Sequence, residues 1–403
     1  MSEPLKNPDQ QPESYDPRTP EIVSMVEGAQ APQGAKAAHA PVLPEHAEID
    51  FRIPFTNYST LWEANCWASL YMHLENIPFS NDYVCAKNTG ADCTDCGNCR
   101  QSAGGIQEEL YFIFHTMSGN SAHRKPYNES QHFWDGYELH KDDLEFMAGY
   151  AGYQIEIFTD DRLRRIQSAI LADKPVIVRI RPESEPTELH RGLHRVITGY
   201  RGDQLIMPNT ANAQTRKMPY ATPSISDIEA LYIFTKADRR KYSLLDGLRR
   251  IRRVMESNFD NGVYESFIEK FVETGDANHK EMKRRFQAAE NASWHNLNAH
   301  NFSETFRHRY WDELKDARFT PMIEKIDVAC VDIQDRCGQI CALNQDYKGR
   351  KKRPSSDKWG CGWSSEWAFC RSIVDCFNAI KADDMVVLGA VNEMIMILEE
   401  GTK

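Results

Sequence analysis

Wound as a helix, the stretch Leu61 to Leu74 (LWEANCWASLYMHL) is apolar on nearly every face. A helix apolar all round is a buried helix, not an amphipathic one. Ile106, Leu110, Ile113 and Phe114 recur at helical spacing over Ile106 to Met117, and a shorter helix is expected over Asp142 to Tyr150. Gln154 to Phe158 alternates as a strand through Ile155 and Ile157. Asp160 or Asp161 then caps a helix with Leu163, Ile166 and Ile170 on one face. After Lys174-Pro175 the run VIVRI, Val176 to Ile180, predicts a buried strand, and three more strands follow over His194 to Tyr200, Gln204 to Met207 and Leu231 to Thr235. Helices first and strands later within one region predict an α+β domain with an antiparallel sheet packed on the Cys-bearing helix.

Beyond Tyr242 the pattern becomes helical almost throughout. Leu244, Leu245, Leu248, Ile251 and Met255 share a face, and segments near 278–316, 320–346 and 363–399 carry the same period, which predicts an all-α bundle. Cys330, Cys337 and Cys341 stand at heptad-like spacing, so they are assigned to core packing, as are Cys361, Cys370 and Cys376. Residues 1–48 are rich in Pro, Glu, Gln and Ala with few bulky apolar side chains, and are expected to form a disordered or loosely docked arm. The expected organisation is an arm over 1–48, an α+β domain over 49–240 and a helical bundle over 241–403.

Composition narrows the function classes. The chain of 403 residues is 41% hydrophobic and can bury a sizeable core. A net charge of −11 argues against a dominant nucleic-acid role, since phosphate binding needs a basic face. The one basic run, Lys348 to Arg353, is expected to be a solvated loop. No window approaches eighteen consecutive apolar residues, and no basic segment followed by an apolar core opens the chain, so neither a membrane span nor a secretory signal is expected. The 11 cysteines are then read as reduced thiols or metal ligands in a cytoplasmic protein.

Four of them sit in one loop, Cys85-x7-Cys93-x2-Cys96-x2-Cys99, with Gly90 and Gly97 supplying turns. Four thiolates folded toward one point suit a tetrahedral structural zinc. An iron–sulfur cluster is the competing metal, though the Cys followed by Pro found in ferredoxin loops is absent. Free thiols are the third reading.

Two stretches together point to chemistry. Asn65 is expected as the N-cap of the buried helix, which puts Cys66 in its first turn, where unpaired N–H groups and the dipole favour a thiolate. The second is LHRVITGYRGDQLIMPNT, Leu193 to Thr210, a strand, a turn and a returning strand that bring His194 and Asn209 toward the same end. Thiol catalysis needs a nucleophile, an imidazole to take its proton and a group that orients the ring. Cys66, His194 and Asn209 are those three types. His190 is the alternative base and Asp203 the alternative orienter.

The Cys-led buried helix, the Lys-Pro-Val-Ile-Val strand and the His-x-Val-x-x-Gly-Tyr hairpin ending at Asn209 resemble the papain-like cysteine peptidase superfamily. The resemblance is to the branch holding bacteriocin-processing leader peptidases and the acyltransferase of butirosin biosynthesis, and it spans roughly residues 50 to 236. It implies Cys66 as nucleophile, His194 as general base and Asn209 as orienter, acting on a peptide or a small acyl or amine substrate. Water as acceptor makes a peptidase or amidase, and an amine makes an acyltransferase. The helical region would hold a second substrate or mediate homo-oligomerisation. One departure stands out: Thr60 occupies the place where such enzymes carry a Gln that donates to the oxyanion. Asn57, Asn65 or backbone N–H groups are the remaining donors. Losing a preorganised donor costs on the order of a hundredfold or more, so a papain-like module that binds without turnover is the alternative.

Overall fold

The structure, a computed structural model, describes residues 43–51, 53, 62–77, 105–129, 143–181, 194–208, 222–272, 279–296, 299–308, 311–349 and 364–401. Those from 43 onward form one compact unit. Its elements are β1 (His46–Glu48), α1 (Trp62–Leu74), α2 (Gly105–Met117), α3 (Asp143–Ala151), β2 (Tyr153–Phe158), α4 (Arg162–Leu171), β3 (Val176–Ile180), β4 (His194–Ile197), β5 (Gly199–Arg201), β6 (Gln204–Ile206) and β7 (Ile228–Lys236). Then come α5 (Leu244–Asp260), α6 (Val263–Val272), α7 (His279–Asn296), α8 (Ala299–His308), α9 (Thr320–Gly349) and α10 (Ser364–Glu400). The fold is therefore mixed α and β, with two small antiparallel sheets and a helical C-terminal region.

One sheet has the order β2-β7-β3-β4 and the other β1-β5-β6. The strand expected over His194 to Tyr200 is divided between them: β4 pairs with β3, Thr198 breaks the ladder, and β5 pairs with β1 and β6. The chain thereby turns from one sheet into the other without a loop. The Arg-Gly-Asp turn is a two-residue hairpin between Arg201 and Gln204, with Gly202 in the left-handed region at φ 60. Residues 46–48, assigned by composition to the arm, form β1 instead, because β5 offers a free edge. Their approach is close at Gly199, where a Cβ would lie 2.8 Å from the Ala47 carbonyl oxygen.

Period-two alternation sorts the four-stranded sheet between two cores. Ile177, Val196, Ala230, Tyr232 and Phe234 face α1 and belong to the larger core, whereas Val176, Val178, Ile197 and Leu231 face α4 and belong to the smaller one. The larger core does not stop near residue 240: it runs from Trp67 and Phe114 through Leu248 and Phe286 to Ile333 and Val391. The helices are built as their patterns predict. Ser243 and Asp246 cap α5 reciprocally, the Asp246 N–H donating to Ser243 Oγ at 3.3 Å and the Ser243 N–H to Asp246 Oδ2 at 2.8 Å. α9 and α10 run side by side, tied at the surface by Lys325–Glu393 at 2.8 Å. Cys330, Cys337, Cys370 and Cys376 are buried there as apolar packing, with Cys341 half-buried.

Candidate functional site

The centre of the larger core is α1. Every side chain from Glu63 to Met72 is buried, in keeping with the all-round apolar pattern, and among the described side chains of the helix only His73 and Leu74 at its end are half-buried. It packs against α2, α3, β3 and β4. Trp67 fixes its rotation, with ring centroids 4.7 Å from Phe234, 5.5 Å from Tyr153, 5.9 Å from Phe114 and 6.0 Å from Tyr71. Its polar side chains are absorbed locally: Ser69 donates to the Asn65 carbonyl at 3.0 Å, and Gln107 of α2 donates to Ser69 Oγ at 2.6 Å.

With Trp67 held against Phe234, the face carrying Glu63, Cys66 and Leu70 turns toward β4. The Val196 backbone hydrogen-bonds the Cys66 sulfur. His194 lies two residues earlier on the strand, on the same face, 1% exposed, with Nε2 3.3 Å from Glu63 Oε1. Its ring centroid is 5.9 Å from that of Tyr232. Arg195 donates from Nη1 to the His194 carbonyl at 2.8 Å. Arg179, opposite His194 in the ladder, sits 3.3 Å from Glu229 through Nε and hydrogen-bonds Tyr232. The result is a buried polar cluster, Glu63, Cys66, His194 and Arg195, continued toward the surface by Tyr232, Arg179 and Glu229.

One local expectation is corrected. Asn65 is not the N-cap: α1 begins at Trp62, so Cys66 occupies its second turn, where the backbone N–H groups are already spent within the helix. Burial pushes the Cys66 thiol up to about 12. Arg195 and the Val196 backbone oppose that rise, and the Glu63 carboxylate adds to it. In this arrangement Cys66 is a neutral thiol at physiological pH, not a helix-end thiolate.

The raised thiols have a consequence for stability. Cys341 is pushed up to about 11, Cys330 and Cys337 are raised as well, and burial is the first cause in each. An unfolded thiol titrates near 8.5, so above about pH 9 the unfolded chain releases protons that the folded chain keeps. Fewer protons on the unfolded state mean stability falls as pH rises. Denaturant unfolding should show a lower midpoint at about pH 10 than at about pH 7, and equal midpoints would remove the fold's hold on these protons.

Among the expected site residues, Cys66 on α1 and His194 on β4 are both buried, in two elements that pack against each other. Asn209, the zinc candidates Cys85, Cys93, Cys96 and Cys99, the alternative base His190, and Asn57 and Thr60 lie outside the described residues. Asp203 is exposed in the hairpin turn. Sequence reasoning missed Glu63 and Arg195. The spacing of Glu63, one helical turn before Cys66, was the available signal. No group of three or more His, Cys, Asp or Glu side chains among the described residues is arranged to hold a metal ion. A surface cleft of about 420 Å³ lies against α4 on the other face of the sheet, lined by Asp161, Arg164, Arg165, Ser168 and Lys174, and no residue of the buried cluster lines it. No helix among the described residues is long and apolar enough to cross a membrane. Comparison with family models, with curated proteins and with solved structures finds no match to the chain.

Proposed function

We propose that the protein performs thiol-dependent acyl transfer or amide hydrolysis in a papain-like arrangement, with Cys66 as nucleophile and His194 as general base. The observation that supports this reading most directly is the facing of α1 and β4, which sets a buried thiol beside the strand that carries a buried imidazole. Because the thiol is neutral, its proton leaves as the sulfur attacks, not before. The sulfur bonds to the carbonyl carbon, the proton passes to His194, and collapse returns that proton to the leaving group. Water or an amine then releases the acyl group. Asn209 as orienter, a peptide or small acyl substrate, a structural zinc on Cys85, Cys93, Cys96 and Cys99, and a reducing cytoplasmic location belong to the same reading. Zinc near stoichiometric in freshly purified protein is its expected metal content.

The test uses p-nitrophenyl acetate, an activated ester small enough for a closed site. Acetylation should locate to Cys66 by peptide mass spectrometry, vanish in Cys66→Ala and slow by ~10²-fold or more in His194→Ala. Acetyl groups spread evenly over the cysteines, with p-nitrophenolate release unchanged in Cys66→Ala, would remove the nucleophile. The complete burial of Cys66 favours a second reading, a papain-like module that binds a partner through its helical region without turnover, and that result would select it.

A further inference from the structure

We propose that Glu63 is the positioning residue for His194, a role that the papain-like pattern assigns to Asn209; this rests on the thiol-transfer reading above. Glu63 and Cys66 stand one turn apart on the same face of α1, so the helix that delivers the nucleophile also delivers a carboxylate to the base. Glu63 Oε1 lies 3.3 Å from His194 Nε2, with side-chain exposures of 7% and 1%. A carboxylate so deeply buried is costly unless it is paired. Its partner here is the imidazole.

The contact selects a tautomer. A carboxylate oxygen accepts, so neutral His194 donates Nε2–H to Glu63 and carries its lone pair on Nδ1. Nδ1 makes no hydrogen bond to Cys66 in the resting protein; it is the ring atom left to take the thiol proton as the sulfur–carbon bond forms and the carbonyl π pair moves onto oxygen. Glu63 takes no proton; it stabilises the imidazolium that appears. When the tetrahedral species collapses, Nδ1–H goes to the departing amine or alkoxide, and Glu63 returns to holding a neutral ring. Tyr232 on β7 lies beside the ring, and Arg179 on β3 is paired with His194 in the ladder.

Glu63→Gln keeps the shape and an accepting oxygen while removing the charge. Acetylation of Cys66 by p-nitrophenyl acetate should slow by ~10²-fold at saturating ester, with the half-saturating ester concentration unchanged. A Glu63→Gln protein with unchanged rate, while Cys66 is still acetylated in the natural chain, overturns the assignment of Glu63 and leaves the nucleophile standing. Absence of Cys66 acetylation in the natural chain overturns both. Should Glu63→Gln fail to fold, ¹⁵N NMR of the natural protein labelled at histidine decides the matter. Neutral His194 with its proton on Nε2 supports the role, and a proton on Nδ1 overturns it.

Discussion

Asp384→Ala should destabilise the protein by ~3–5 kcal/mol, the cost of leaving a buried charge without its partner. Asp384 on α10 is fully buried and binds Arg124 through two hydrogen bonds, Nε to Oδ2 at 2.9 Å and Nη2 to Oδ1 at 2.8 Å. Tyr264 of α6 donates to the same Oδ2 at 2.6 Å. Arg124 also donates from Nη1 to the Ser121 carbonyl at 2.9 Å, and its backbone N–H reaches Asn258 Oδ1 of α5 at 3.1 Å. The segment after α2 is thus locked to α6 and α10 through one carboxylate and to α5 through Asn258. Asp384 holds the Arg124 guanidinium above its already high value against the opposing effect of burial. Truncating the carboxylate strands that cation in the core. For a protein whose total stability is ~5–15 kcal/mol, this is a large share. Urea unfolding provides the measurement, and the double variant Arg124→Met with Asp384→Leu should recover much of the loss, since apolar residues of similar volume often replace a buried ion pair without cost. A double variant as unstable as the single one would locate the effect in packing, not in charge.

Trp67→Ala should cost ~3–5 kcal/mol, the range for removing a fully buried large aromatic. Trp67 is 0% exposed and touches rings from α1, α2, β2 and β7, so no neighbour can close the cavity without leaving its own rotamer. Trp67→Phe should lose considerably less. Its indole Nε1 has no hydrogen-bond partner among the described residues, and removing an unsatisfied donor offsets part of the lost packing. Thermal unfolding of the two variants checks this: equal losses would mean that the ring retained in Phe does not fill the site.

Much of the architecture was legible along the chain. The Val176–Ile180 strand is observed as its mostly apolar run predicts, and α2, α3, α4 and β2 lie within about two residues of the expected bounds, the usual uncertainty of helix and strand ends. Local periodicity carries this information because an element's own side chains decide which face it must bury. Asn65 misled for the same reason. A good capping residue inside a helix is indistinguishable from a cap until the preceding turn is seen, and α1 extends to Trp62.

The sequence by itself determined that α1 is buried on all sides, that a hairpin turns at Gly202-Asp203, and that thiol, imidazole and amide types needed for acyl transfer are present. Only the tertiary structure decided that Glu63 meets His194, that Arg195 and the Val196 backbone stand beside Cys66, and that desolvation outweighs both in setting its protonation. These contacts join residues more than a hundred positions apart. They depend on how α1 is rotated by the rings around Trp67, a quantity fixed by packing across the core and written in no single stretch of the chain.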